Sequence, residues 1–119
     1  MADHNALGIL GEDLAEAFLR KKKYVILHKN WRKGKSEVDL ICSKDELLIF
    51  VEVKTRTHTA YGAPHEAVTP KKQEELRKAV DAFFNEFPHI DLEVRFDIIE
   101  VVNPLHKNAR ITHLPDAFQ

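Results

Sequence analysis

Three charged side chains near the middle of the chain could together bind a divalent metal ion. Glu52 and Lys54 end the apolar segment LLIFVEVK, and Asp39 lies in the segment EVDLIC that precedes it. Because side chains alternate across a strand, Glu52 and Lys54 point to the same face. If the two segments pair as an antiparallel hairpin, Asp39 comes within reach of that face. The spacing therefore predicts that two carboxylates and one amine converge.

Such a group has the chemistry of a magnesium or manganese site. A few carboxylate oxygens, with room left for water and a phosphate oxygen, suit Mg²⁺ or Mn²⁺ better than zinc. A bound metal ion of this kind polarises a phosphoryl group, activates the attacking water and stabilises the leaving oxygen. Lys54 could orient that water and stabilise the developing charge. The alternative is a buried ion pair between Glu52 and Lys54, with Asp39 shaping a turn, and the spacing alone favours neither interpretation.

The net charge of −1 does not indicate a nucleic-acid-binding protein, but the charges are unevenly distributed. Residues 20–35 contain eight basic and no acidic side chains, with two aromatic residues among them. This pattern suits phosphate contacts and is equally typical of a solvated helix end and turn. The candidate nucleic-acid-binding residues in this stretch are Lys29, Arg32, Lys33 and Lys35.

Three further basic residues are candidates because of where they fall in the pattern. Arg56 extends the face that bears Lys54, although at a strand end it is equally a surface charge. Lys71 and Lys72 open a predicted helix, where the helix dipole disfavours cations. An anionic partner would explain them, and the alternative is that they are ordinary surface lysines.

Size and composition restrict the possible architecture. A chain of 119 residues with 44% hydrophobic residues can bury one core, so we expect a single domain. The polar N-terminal segment has no signal-peptide pattern, and there is no run of about 18 apolar residues, so we expect a cytoplasmic protein. A single cysteine, Cys42, excludes an internal disulfide and a cysteine-based zinc site.

The apolar pattern predicts the order helix, three strands, helix, strand. The first helix is capped by Asp3 or Asn5 and ends near Lys22. Three strands follow in YVILHKNW, EVDLIC and LLIFVEVK. The third of these is apolar until Glu52, which is typical of a strand covered on both faces, so we place it at the centre of the sheet.

The second half of the chain begins with an irregular polar loop over residues 55–68. Thr69 caps and Pro70 opens the second helix, which Pro88 ends, and a fourth strand follows in LEVRFDIIEVV. We expect only a short extended piece at residues 110–114 and loose ends at residues 1–4 and 115–119. The order predicts an α/β sandwich around a mixed sheet.

Several motifs that occur together cover nearly the whole chain. They are HNALGILGEDLA (4–15), KNWRKGKSEVDLI (29–41), FVEVKTR (50–56), GAP (62–64) followed by EAVTPKKQ, RFDII (95–99) and HLPDAF (113–118). In this combination the sequence resembles the YraN-like family of small bacterial proteins, which is similar to archaeal Holliday junction resolvases. Asp39 followed by Glu52-Val53-Lys54 resembles the PD-D/ExK nuclease motif, although Val38 stands where the motif's proline would be.

The resemblance implies a fold and an activity. The fold is a restriction-endonuclease-like three-layer sandwich, with a central mixed β-sheet, helices on both faces and the order α-β-β-β-α-β. The activity is Mg²⁺-dependent or Mn²⁺-dependent cleavage of DNA, including branched or damaged DNA, by a catalytic set of Asp39, Glu52 and Lys54. Glu12 matches an extra acidic residue of the resolvase metal site, so the implied metal ligands are Asp39, Glu52 and Glu12.

A resolvase-like activity would imply a homodimer, because two symmetric cuts need two sites. Two other functions also stay open. A nuclease fold can instead serve as a module that binds nucleic acid or a DNA-repair partner with little or no turnover. In a third, purely structural interpretation, the acidic residues and Lys54 form an internal salt bridge.

Overall fold

The computed structural model describes residues 6–57 and 68–119. These residues form two helices and five strands. Their bounds are α1 Ala6–Lys21, β1 Val25–Lys33, β2 Ser36–Lys44, β3 Leu47–Arg56, α2 Pro70–Glu86, β4 Glu93–Val102 and β5 Arg110–Phe118. No helix within these two ranges is long and apolar enough to cross a membrane.

The five strands form one mixed sheet in which they lie side by side in chain order. Strands β1, β2 and β3 are joined by antiparallel pairing, β3 and β4 are parallel, and β5 is antiparallel to β4. Strand β3 is therefore central, and its residues Leu48, Ile49, Phe50 and Val51 have no exposed surface. The predicted position of LLIFVEVK at the centre of the sheet is confirmed.

The two helices cover opposite faces of the sheet and make three layers. Helix α1 buries Ala15 and Leu19 in one apolar cluster with Leu40 and Val51. Helix α2 buries three residues in a second cluster, which also contains the alternate residues of β3. Because each face has its own apolar core, the α/β sandwich with helices on both faces is confirmed.

Helix α2 begins and ends where its sequence signals predict. Thr69 has an extended backbone, and its hydroxyl accepts a hydrogen bond of 3.2 Å from the N–H of Lys72. Pro70 is the first helical residue, and the helix ends at Glu86, two residues before Pro88. The hydroxyl satisfies one of the N–H groups that a helix start leaves without an intrahelical partner.

The C-terminal region is more ordered than the sequence indicated. Strand β5 continues to Phe118, so the prediction of a loose end over residues 115–119 was wrong for most of that segment. The ring of Phe118 stacks on Phe96 at 4.7 Å, and the N–H of Asp116 donates to Asp97. These contacts are made with β4, so no local pattern in the tail could reveal them.

Two other predictions concern the ends of elements. Strand β3 runs to Arg56, and residues 55 and 56 therefore belong to the sheet and not to the predicted polar loop. Residues 58–67 of that loop lie outside the described part of the chain. The same holds for the predicted helix caps Asp3 and Asn5 and for the predicted loose residues 1–4.

Candidate metal site

The candidate site lies where strands β2 and β3 separate. Their pairing runs from Lys44 and Leu47 to Leu40 and Val51 and goes no further. Beyond that point, residues 36–38 of β2 pair only with β1, and residues 52–56 of β3 pair only with β4. We call the gap between these two segments the strand fork. It leaves β2 and β3 unpaired with each other at the positions of the predicted site residues.

Asp39 closes the inner end of the strand fork with its side chain. Its Oδ2 accepts a hydrogen bond of 2.8 Å from the backbone N–H of Val53. If the ladder continued in register, Asp39 would face Glu52 directly, because Leu40 faces Val51. The Asp39 side chain thus takes the place of a backbone hydrogen bond between β2 and β3, and it holds a carboxylate beside Glu52.

The carboxyl groups of Asp39 and Glu52 are close enough to affect each other's ionisation. Burial raises the pKa of Glu52 to about 7, and the negative charge of Asp39 adds to this rise. Burial also raises the pKa of Asp39, although the hydrogen bond from Val53 opposes that rise. The structure therefore brings Asp39 and Glu52 together.

Two lysines stand on either side of the Glu52 carboxylate. The Nζ of Lys54, two residues along β3, lies 3.6 Å from Glu52 Oε2. The Nζ of Lys72, in the first turn of α2, lies 3.8 Å from Glu52 Oε1. The Glu52 side chain is 8% exposed, whereas those of Lys54 and Lys72 are 37% and 27% exposed. A buried carboxylate thus meets two ammonium groups that reach solvent.

The chemistry of this donor set fits a hard divalent cation. Burial raises the pKa of both carboxyl groups, and the charge of Asp39 raises that of Glu52 further. A nearby positive charge would stabilise their ionised forms. Mg²⁺ is commonly bound through one or two carboxylates, with water and substrate phosphate completing its coordination. Asp39 and Glu52 supply that number, and both lie where β2 and β3 are no longer paired with each other.

The structure does not assemble a third acidic ligand with this pair. Within residues 6–57 and 68–119, no group of three or more acidic, histidine or cysteine side chains could hold a metal ion. Glu12 is buried on α1, next to Gly11, which packs against Thr55. Thr55 alternates with Lys54 and so lies on the opposite face of β3. The assignment of Glu12 to the metal site remains a prediction from the resemblance.

Arg56 is drawn into the protein by a partner that the sequence analysis missed. Its Nε lies 3.1 Å from Oε2 of Glu100, and the two side chains are 13% and 7% exposed. Glu100 pairs in register with Lys54 on the neighbouring strand, so it stands beside the site. A carboxylate in the otherwise apolar strand segment IIEVV (98–102) is costly without a partner, and that signal could have revealed it.

The predicted nucleic-acid-binding residues fall into different environments. Lys29 is paired with Asp13 and Glu16 of α1, and Arg32 with Glu37 at 2.7 Å, so acids of the chain neutralise part of the basic stretch. Three of the remaining candidates are exposed: Lys33 and Lys35 at the β1–β2 turn, and Lys71 on α2. The structure brings Lys72 to the site and leaves these three at the surface.

The chain also matches known proteins over most of its length. The sequence model of the family described as "Uncharacterised protein family UPF0102" matches residues 11–101. The chain belongs to the UPF0102 family. That match spans Glu12, Asp39, Glu52, Lys54 and Lys72. Membership of this YraN-like family, which the motifs indicated, is confirmed.

Individual UPF0102 proteins are similar along nearly the whole chain. A UPF0102 protein of Bacteroides thetaiotaomicron is 46% identical over 118 residues, which cover 99% of this chain and 96% of the relative. One from Flavobacterium johnsoniae is 46% identical over 125 residues, covering 99% and 98%. One from Chloroherpeton thalassium is 50% identical over 97 residues, covering 82% and 75%.

Proposed function

We propose that this UPF0102 protein is a metal-dependent endonuclease that hydrolyses phosphodiester bonds in DNA. The observation that carries the proposal is the neighbouring carboxyl pair of Asp39 and Glu52 at the strand fork. Two buried like charges side by side are costly, and an incoming cation relieves that cost. The resemblance to PD-D/ExK nucleases points to the same two carboxylates and to Lys54.

The chain's own groups have distinct roles in this proposal. Asp39 and Glu52 hold Mg²⁺ or Mn²⁺, and the Val53 N–H orients the Asp39 carboxylate. The cation, when bound, supplies Lewis-acid polarisation of the phosphoryl group and stabilises the leaving oxygen. Lys54 is fixed on the same strand face as Glu52 and is partly exposed, so its ammonium can reach the attacking water and a phosphate oxygen.

The β1–β2 hairpin and α2 contribute basic residues beside the fork, and we propose that the substrate approaches across them. Lys33, Lys35 and Lys71 are exposed on these two elements and suit contacts with a phosphate backbone. We propose duplex DNA with a branch or a lesion as the substrate class, following the resemblance to junction resolvases. Symmetric cutting of a junction would require a homodimer.

A cleavage assay with matched variants tests the activity. Purified protein is incubated with duplex, single-stranded and four-way-junction DNA in Mg²⁺ or Mn²⁺, beside Glu52→Ala and Lys54→Ala. Lys107→Ala serves as the control, because Lys107 is an exposed lysine in the β4–β5 connection, outside the fork and outside the proposed DNA contacts. The proposal expects metal-dependent cleavage that both site variants abolish and the control retains. Absence of cleavage of every substrate in either metal contradicts it.

The second candidate function is binding of nucleic acid or a repair partner without turnover. The observation in its favour is that Lys54 and Lys72 already place two positive charges beside Glu52. Because these two charges offset the charge of Glu52, the carboxyl pair can be stable without a metal ion. Salt-sensitive DNA binding that Lys33→Ala and Lys35→Ala weaken, without cleavage in any metal, would support this function over the first.

A further inference from the structure

Lys72 lies in a place where a lysine is unfavourable unless it has an anionic partner. It is the third residue of α2 and donates its backbone N–H to the capping Thr69. The positive end of the helix dipole repels its ammonium group, and the first turn contains no acidic side chain to offset this. The adjacent Lys71 is exposed, whereas Lys72 reaches across the sheet to Glu52. The contact with Glu52 therefore explains its position.

The two oxygens of Glu52 are divided between lysines from different elements. Lys54 lies nearer Oε2 and Lys72 nearer Oε1. Both separations, 3.6 and 3.8 Å, exceed the range of a charge-assisted hydrogen bond. The lysines thus balance the charge of the carboxylate without binding it tightly, and a small movement of a side chain would release either one.

Lys72 also lines a groove that opens beside the strand fork. The groove has a volume of about 340 Å³ and lies between the β1–β2 hairpin and α2. We call it the hairpin groove; its lining residues are Lys35, Ser36, Glu37, Lys72, Glu75 and Lys78. Arg32 neutralises Glu37, which leaves three lysines facing Glu75. The ammonium of Lys72 therefore stands between the carboxyl pair and a groove with excess positive charge.

We infer that Lys72 is a positioning residue that exchanges partners when a divalent cation binds. In the metal-free protein it balances Glu52. A cation on Asp39 and Glu52 replaces that charge and repels the ammonium, which then contacts a DNA phosphate in the hairpin groove. The inference rests on the proposed function, and it adds both the path of the DNA strand and a coupling between metal binding and DNA binding.

Metal affinity tests the first half of the exchange without any turnover. Mn²⁺ binding is measured by isothermal titration calorimetry for the wild type, Lys72→Gln, Lys72→Arg and the control Lys71→Gln. Because Lys72 competes with the cation for Glu52, Lys72→Gln should bind Mn²⁺ roughly fivefold more tightly than the wild type. Lys72→Arg and Lys71→Gln should both stay at the wild-type value. Unchanged or weaker binding by a folded Lys72→Gln protein would overturn the inference.

DNA affinity tests the second half. Binding of fluorescein-labelled duplex DNA is followed by anisotropy with and without Ca²⁺, a cation chosen to occupy the site without supporting turnover. Ca²⁺ should strengthen DNA binding by the wild type and by the control Lys107→Gln, an exposed lysine of the β4–β5 connection, and this gain should disappear in Lys72→Gln. A full gain in Lys72→Gln would overturn the inference and leave the proposed function intact. If the wild type binds no divalent cation, the metal site fails and the exchange fails with it.

Discussion

The carboxylate of Asp39 accepts a hydrogen bond from the backbone N–H of Val53, with 2.8 Å between Oδ2 and N. This contact joins β2 to β3 just beyond the last paired residues, Leu40 and Val51. At the point where the strands separate, a side chain thus accepts the hydrogen bond that a backbone carbonyl would accept in a continuous sheet. One residue therefore both ends the pairing and presents a carboxylate next to Glu52.

This double role predicts that two substitutions of Asp39 differ in stability. Asp39→Asn keeps an oxygen that can accept from Val53, whereas Asp39→Ala leaves that partly buried N–H without this acceptor. We expect Asp39→Ala to lose about 1–2 kcal/mol relative to Asp39→Asn in the metal-free protein. Urea unfolding followed by circular dichroism measures the difference. Equal midpoints for the two variants would show that the hydrogen bond has no structural role.

The raised pKa of Glu52 predicts how the stability of the metal-free protein depends on pH. The pKa of Glu52 is about 7 in the folded protein, against an ordinary value of 4.5. Between these values the folded state binds more protons than the unfolded state, so the free energy of unfolding should fall as pH rises from 4.5 to 7. Above that window Glu52 contributes no further slope. The loss should be about 3 kcal/mol, since the pKa differs by about 2.5 between the two states.

Glu52→Gln isolates this contribution, because the amide cannot ionise. The variant should be more stable than the wild type at pH 8, and its advantage should shrink toward pH 4.5. Glu46→Gln, at the exposed β2–β3 turn, is the matched control and should follow the wild type. The account fails here if Glu52→Gln and the wild type keep a constant difference in unfolding free energy between pH 4.5 and 8.

The close approach of Gly11 to Thr55, at the end of β3, predicts that a larger residue at position 11 destabilises the protein. A Cβ atom at this position would lie 2.0 Å from Oγ1 of Thr55 and 3.0 Å from its Cβ and Cγ2. Gly11→Ala should therefore cost about 1–3 kcal/mol despite the higher helix propensity of alanine. Adding Thr55→Ala removes two of the three clashing atoms, so it should recover part of the loss. A double-mutant cycle by thermal unfolding measures the coupling, and strictly additive effects would contradict the predicted contact.

The buried carboxylate of Asp97 predicts that the folded protein loses stability in acid. Although burial opposes its ionisation, hydrogen bonds from His113, Arg95 and the Asp116 N–H hold the pKa of Asp97 below its ordinary value of 3.8. The stabilisation is complete above pH 3.8 and is lost as pH falls below it.

The measurement is the free energy of unfolding of Asp97→Asn against the wild type from pH 7 to pH 2. We expect a deficit of about 3 kcal/mol at pH 7 that narrows below pH 3.8. Asp91→Asn, at an exposed loop position, is the control and should show no deficit. A deficit for Asp97→Asn that is as large at pH 2 as at pH 7 would contradict the role assigned to its charge.

The proximity of Asp39 and Glu52 could be predicted because it depends on features that are local in the sequence. Strand alternation and a short connection between two apolar segments bring these residues together without knowledge of the rest of the fold. The start of α2 at Thr69 and Pro70 was predictable for the same reason. In each case the deciding interactions lie close together along the chain.

Other features depend on partners far apart in sequence. The contact of Lys72 with Glu52 requires the placement of α2 over the sheet, and the order of β5 requires Asp97 and Phe96 of β4. The tail segment RITHLPDAF alternates weakly and contains a proline, so its own pattern indicates no strand. Asp97 and Glu100 could have been noticed as charges in an apolar strand, but their partners could not.

Binding of Mn²⁺ by the wild type, Asp39→Asn and Glu52→Gln is the most direct test of the carboxyl pair as a metal site. Isothermal titration at pH 8, with Glu46→Gln as control, should show binding by the wild type and the control and at least about a tenfold loss of affinity in each site variant. The wild-type affinity should also fall at pH 5.5, where Glu52 is mostly protonated. Equal Mn²⁺ affinity in all four proteins, or no binding by the wild type at pH 8, would contradict the proposed site.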